Sequence, residues 1–174
     1  MNSSVIIGNL FSLFGMLSEA FSATLKTARR VLVMQSIAQI FWFTSTVVLK
    51  GYSGSVQNVV SIVRNILAIK KVENKAIEWT VAIIGVVLGI CFNKTGIMGY
   101  LPVMANFQYT VAVFRFKDNE RALKKSFLVC VLMFAFFHLS IYNVVGFISN
   151  LMIFATTGFV LVKDRAKEKT EKKQ

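Results

Sequence analysis

Long apolar runs broken by short polar or charged gaps dominate the chain, and their spacing predicts helices rather than strands. The first run covers residues 4–23 and is closed by Lys26, Arg29 and Arg30. The second, 31–49, ends at Lys50-Gly51-Tyr52-Ser53-Gly54, a turn signal; the third, 55–69, stops at Lys70 and Lys71. The fourth, 77–92, runs into Asn93-Lys94-Thr95-Gly96, and the fifth, 97–116, carries Pro102 in its first third. After a charged loop comes the block 126–162, too long for one span. His138, Ser140, Asn143 and Gly146 cut it into two. The reading is an all-α polytopic membrane protein of seven transmembrane helices, with a charged tail, 163–174, predicted to be frayed or disordered.

Composition agrees with the pattern. Of 174 residues, 55% are hydrophobic and 16% charged, against about 25% charged in a soluble domain. At roughly 20 residues per span, no separate soluble domain fits. No basic stretch precedes the first run, so it is expected to be retained as a span rather than cleaved. Cys91 and Cys130 both lie in apolar runs as small hydrophobes, and with a single histidine no metal spacing exists.

The net charge of +12 is topological. With seven spans, one set of alternate loops together with the C-terminal tail holds 17 of the 20 Lys and Arg. By the positive-inside rule the N-terminus is outside and the C-terminus cytoplasmic, in a multi-pass cell (inner) membrane protein. Because the basic residues fill gaps between spans, nucleic acid is not an expected partner. The bilayer, with anionic lipids at the cytoplasmic face, is.

Sliding the chain by 92 residues sets Gly54 to Asn58 on Gly146 to Asn150, and Lys71 on Lys163. Allowing three extra residues in the fifth loop sets Trp42 on Phe137 and Arg29-Arg30 on Lys124-Lys125. The pattern is a 3+1+3 arrangement of parallel repeats: residues 1–71 as the first three-helix unit, 72–96 as a linker helix, 97–162 as the second unit, and 163–174 as a basic cytoplasmic tail. The linker span carries Gly85-x-x-x-Gly89 as a close-packing surface.

Polar residues inside spans mark faces that avoid lipid. Gln57, Asn58, Ser61, Arg64 and Asn65 fit an arc of about 120° on the third span. The first aligns Asn9, Ser12, Gly15, Glu19 and Ser22; the second Gln35, Gln39, Trp42 and Thr46; the fifth Pro102, Asn106 and Tyr109; the seventh Gly146, Asn150 and Thr157. Such stripes predict either interhelical hydrogen bonding or a wet central cavity, and their number favours the cavity. Glu19 and Arg64 lie at similar depth, about five or six residues from the inner end of their helices at roughly 1.5 Å per residue, so they are expected to pair. The competing expectation for Arg64 is snorkelling to the inner surface. His138 reads as a loop anchor.

These features resemble the SWEET and PnuC-type transporter architecture of the MtN3 clan, and more specifically the YgjV-like family of small bacterial inner-membrane proteins. Arg29-Arg30, Trp42, the Gly54 to Asn58 turn, Arg64-Asn65 and Asn150 carry the likeness. It implies an asparagine pair on the third and seventh helices, here Asn58 and Asn150, that holds solute. The single Pro102 departs from sugar-transporting SWEETs, which use prolines in several helices as hinges.

The expected function is a facilitator or secondary carrier of a small polar solute by alternating access between two three-helix units, with no cofactor. Asn58, Asn150, Gln39, Asn65 and Asn106 would hydrogen-bond the solute, Trp42 or Tyr109 would stack on it, and Arg64 would meet an acidic group. The alternative is a non-transporting membrane scaffold or assembly factor with a basic cytoplasmic face. An enzyme is not expected, because no Ser–His pair, HExxH or paired Asp occurs. A homo-oligomer is left open.

Overall fold

The computed structural model describes residues 3–22, 28–70, 72, 74–116 and 120–171. Among them are seven α-helices and no strand: α1 Ser3–Ser22, α2 Ala28–Val48, α3 Tyr52–Ile69, α4 Lys75–Cys91, α5 Tyr100–Arg115, α6 Glu120–Ser140 and α7 Val144–Glu171. Lys26, Lys71, Lys117, Lys172 and Lys173, all counted on the basic side of the chain, lie outside the described residues. The helical stretches Ser3–Ser22, Arg121–Ser140 and Val144–Lys163 are long and apolar enough to cross a membrane, and Leu32–Val48 is a shorter apolar helix. Helices α3, α4 and α5, at 18, 17 and 16 residues, sit near the lower limit of about 17 for a span.

Two boundaries differ from expectation. Residues 97–116 do not form one helix: a 3-10 turn, Gly96–Gly99, precedes α5. Pro102 has no N–H to donate and is tolerated only in a first helical turn, where α5 places it. The charged tail is not disordered up to Glu171, because α7 continues through it.

Local chemistry sets the other ends. Asn74 caps α4, its side-chain oxygen accepting from the backbone of Ala76 at 2.9 Å and Ile77 at 3.4 Å. After α4, Asn93 Oδ1 accepts from Thr95 N at 3.0 Å and its amide donates to Gly96 O at 2.9 Å, folding the predicted turn, with Gly96 at φ 64°.

The α2–α3 and α6–α7 connections share one hydrogen-bond scheme. Lys50 N donates to Val47 O and Gly51 N to Thr46 O; 92 residues on, Tyr142 N donates to Leu139 O and Asn143 N to His138 O. Each pair is a Schellman closure, which requires a left-handed residue just past the helix. Lys50 and Tyr142 take that role at φ 60° and 59°, the only two non-glycine residues with positive φ among those described.

Each helix packs on its neighbour in sequence, α1 closes against α7, and α3 touches α5 across α4. Helix α4 approaches closely because Gly85 and Gly89 lack side chains: a Cβ at Gly85 would lie 3.0 Å from Val60, and one at Gly89 2.5 Å from Gln57 Nε2. Lipid removes the hydrophobic drive between helices, so packing and hydrogen bonds of about 0.6 kcal/mol each must hold them. Ser12 and Ser45 hydroxyls meet at 2.6 Å between α1 and α2, and Gln57 Nε2 donates to Gly85 O at 2.9 Å between α3 and α4. Asn9 clasps the α6–α7 turn by donating to Tyr142 O at 3.0 Å and accepting from Val145 N at 2.9 Å. Outward faces are apolar, as at Ile6, Leu10, Leu17, Ile83 and Val87.

Candidate functional site: a central polar cavity

A cavity of about 150 Å³ lies among α1, α2, α3, α5, α6 and α7; no α4 residue lines it. Every residue singled out as a solute contact lines it: Gln39, Trp42, Asn58, Arg64, Asn65, Asn106, Tyr109 and Asn150, together with Glu19. The polar stripes of five helices converge because each turns its amides away from lipid.

On α3, Asn58, Ser61, Arg64 and Asn65 face the cavity. Gln57, in the same predicted arc, instead ties α4 to α5. It donates to Gly85 O and accepts from Asn106 Nδ2 at 2.9 Å. Asn106 Oδ1 in turn accepts from Arg64 Nη1 at 3.2 Å. The Arg64 guanidinium lies 5.4 Å over the Tyr109 ring, a cation–π distance, and Tyr109 sits 5.4 Å from Phe127. Asn65 donates to Ser36 at 3.4 Å and Asn58 to Thr46 at 3.3 Å, while Asn150 Nδ2 bonds Gly146 O at 2.8 Å. The Asn58 and Asn150 amide nitrogens are therefore engaged by protein, and their side-chain oxygens have no protein donor among the described residues.

Glu19 and Arg64 share this cavity but do not form the ion pair expected from their depth. Glu19 accepts from Trp42 Nε1 at 3.3 Å, whereas Arg64 is held by Asn106 and Tyr109. Nor does Arg64 snorkel away, since it lines the interior. Equal depth does not fix which way two side chains face around their helices.

Helix α6 supplies the wall that sequence reasoning missed: Phe127, Cys130, Val131, Phe134 and His138. Their i, i+3, i+4, i+7, i+11 spacing is that of one helix face, but inside the continuous apolar stretch 127–137 no polarity contrast marks it. His138 does anchor the turn, through Asn143 Nδ2 at 3.0 Å, and its ring also lies 5.5 Å from that of Trp42, tilted by 42°. Lining residues Gln35, Gln39 and Trp42 lie 92 residues before lining residues Phe127, Val131 and Phe134. Phe137, set against Trp42 by the sequence, does not line the cavity, whereas Phe134 does. Thr157, in the predicted α7 stripe, does not line it either.

Among the described residues no three His, Cys, Asp or Glu side chains gather to hold a metal, and both cysteines are free. The arrangement offers side-chain amides, one carboxylate and one guanidinium opposite aromatic rings, a set suited to holding a small molecule.

A helical protein with apolar outer faces around a polar interior is of the integral membrane class. The chain belongs to the Imp-YgjV family of bacterial inner membrane proteins, whose family model matches residues 6–168. No curated protein and no solved structure matches it.

Proposed function

We propose that this inner membrane protein is a carrier for a small polar solute, with the central cavity as its binding site and alternating access between α1–α3 and α5–α7 as its mechanism. The carrying observation is the cavity itself, lined by six helices and holding both ionisable side chains, Glu19 and Arg64, that the sequence put within spans.

The helix contacts support two parallel units joined by α4. Adding four to each helix number turns the α1–α2 and α2–α3 contacts into α5–α6 and α6–α7, and the α1–α7 seam corresponds to the α5–α3 seam. The matching Schellman turns 92 residues apart support the same reading. It is SWEET-like, with the N-terminus outside and the C-terminus in the cytoplasm. Solute would lie between Asn58 and Asn150 at one end and Arg64 at the other. With no nucleotide-binding motif in the sequence, uptake would follow a gradient or downstream trapping of solute.

The test is solvent access. In a variant with Cys91 and Cys130 replaced by Ala, single cysteines at Asn58 and Asn65 should react with a membrane-impermeant maleimide, Asn58 from the outside and Asn65 from the cytoplasmic side. Solute should protect both. A scaffold without a transport path would leave both blocked from either face. Reporter fusions at Ser53 and Gly96 should read outside; a cytoplasmic signal at Ser53 would sink the topology.

A further inference from the structure

The cavity's two charges are each under-satisfied, and in opposite senses. An ionised carboxylate has about four lone-pair sites, and among the described residues Glu19 receives one protein hydrogen bond to its carboxylate, from Trp42. A guanidinium has five N–H donors, and among the described residues Arg64 uses one, on Asn106. A buried pair normally meets, because an uncompensated charge in a low-dielectric interior costs several kcal/mol. These two line one cavity and hold different partners.

We infer that the cavity is built for a zwitterion, a small ammonio-carboxylate of the α-amino acid class, its carboxylate on Arg64 and its ammonium on Glu19. The inference rests on the carrier reading and names its substrate class. A sugar would leave both charges unanswered, and a simple anion or cation would answer one and repel the other. A zwitterion answers both and leaves the net charge of the cavity unchanged. Arg64 offers the planar fork that matches a carboxylate in two parallel hydrogen bonds. Trp42 Nε1 holds the Glu19 carboxylate in place for an ammonium. The apolar part of the lining, Phe127, Val131, Phe134 and Ile153, would take an apolar side chain. A volume of about 150 Å³ is of the size that admits benzene, which limits the solute to roughly ten heavy atoms.

The experiment uses purified full-length protein, thermal-shift and equilibrium binding, and a matched set of probes. These are the neutral L-amino acids from glycine to leucine, with isopentylamine and 4-methylpentanoate as L-leucine lacking its carboxylate or its ammonium, and D-glucose as an uncharged polar solute. At least one neutral amino acid should raise Tm and bind about tenfold or more tighter than its amine or acid counterpart. Glu19→Gln should shift preference toward 4-methylpentanoate and Arg64→Gln toward isopentylamine. If either variant fails to fold, Glu19→Asp and Arg64→Lys serve, and each should weaken amino-acid binding. Equal binding of the acid and the amino acid, unchanged amino-acid binding in Glu19→Gln, or glucose as the best ligand would overturn the zwitterion. So would no stabilisation by any neutral amino acid. If the cysteines at Asn58 and Asn65 remain reactive from opposite faces, the carrier reading survives that failure; if they are blocked, both readings fall.

Discussion

Helices α1–α3 and α5–α7 answer two different demands with different degrees of likeness. At the turns the backbone bonds of one recur in the other 92 residues later, down to a non-glycine residue held at φ near +60°. In the cavity the corresponding side chains part company. Gln35, Gln39 and Ser61 on one wall stand where Phe127, Val131 and Ile153 stand on the other, while Asn58 and Asn150 agree and Trp42 and Phe134 are both aromatic. Helix ends must satisfy orphan carbonyls wherever they occur, so the turn has few solutions. A binding cavity gains from two unlike walls, one to hydrogen-bond and one to exclude water. Likeness therefore follows backbone need, which the cavity walls do not share.

The largest break in that comparison is expected at the residue that opens α7. Asn143 is fully buried; its oxygen accepts from Gly146 N at 2.8 Å, and its amide reaches His138 Nδ1 at 3.0 Å and Ser45 Oγ at 3.2 Å. Asn143→Ala removes a cap and strips buried partners, a loss of about 3 kcal/mol. The corresponding Gly51 has no side chain to lose, and a Cβ there would sit 2.9 Å from both Ile141 and Phe137. Gly51→Ala should therefore cost about 1–3 kcal/mol by overpacking instead. Chemical or thermal unfolding in detergent measures both, and a harmless Asn143→Ala would refute the polar clasp.

Swapping one pair of wall residues tests the two-sidedness directly. Val131 is buried, so Val131→Gln brings an amide without a ready partner into the aromatic wall at about 1–3 kcal/mol. Gln39 makes no hydrogen bond to the described protein, so Gln39→Val should leave stability within about 0.5 kcal/mol while weakening solute retention. Equal effects of both swaps on stability would mean that the walls are not distinct.

The same contrast explains what could be read from sequence. An amide in an apolar run announces its face, so Asn58, Arg64, Asn65, Asn106 and Asn150 could all be assigned to the interior. Phe127 and Phe134 could not, because an aromatic looks alike whether it meets lipid or ligand. Periodicity also gives an arc rather than a partner, which is why Gln57 was grouped with cavity residues while its amide holds Gly85 and Asn106. Depth along a helix, likewise, placed Glu19 level with Arg64 but not their azimuth. The α5 boundary depended on Pro102, whose missing N–H was visible, yet the apolar run beginning at Ile97 concealed the break before it.

The smallest expected effect bears on the half of the comparison that says the turns are alike. A left-handed conformation costs a residue with a side chain about 1–2 kcal/mol, and glycine escapes that cost while losing about 0.5–1 kcal/mol more backbone entropy on folding. Lys50→Gly and Tyr142→Gly should therefore each stabilise the protein, by about 0.5 kcal/mol. Both side chains are exposed, so neither change empties a packed site. The two increments should be equal if the turns are equivalent, and they should add in the double variant because the residues share no hydrogen bond. A rise in Tm for one and a fall for the other would show that the exposed Lys50 or Tyr142 side chain has a contact of its own at the membrane surface, and that the two turns agree in backbone alone.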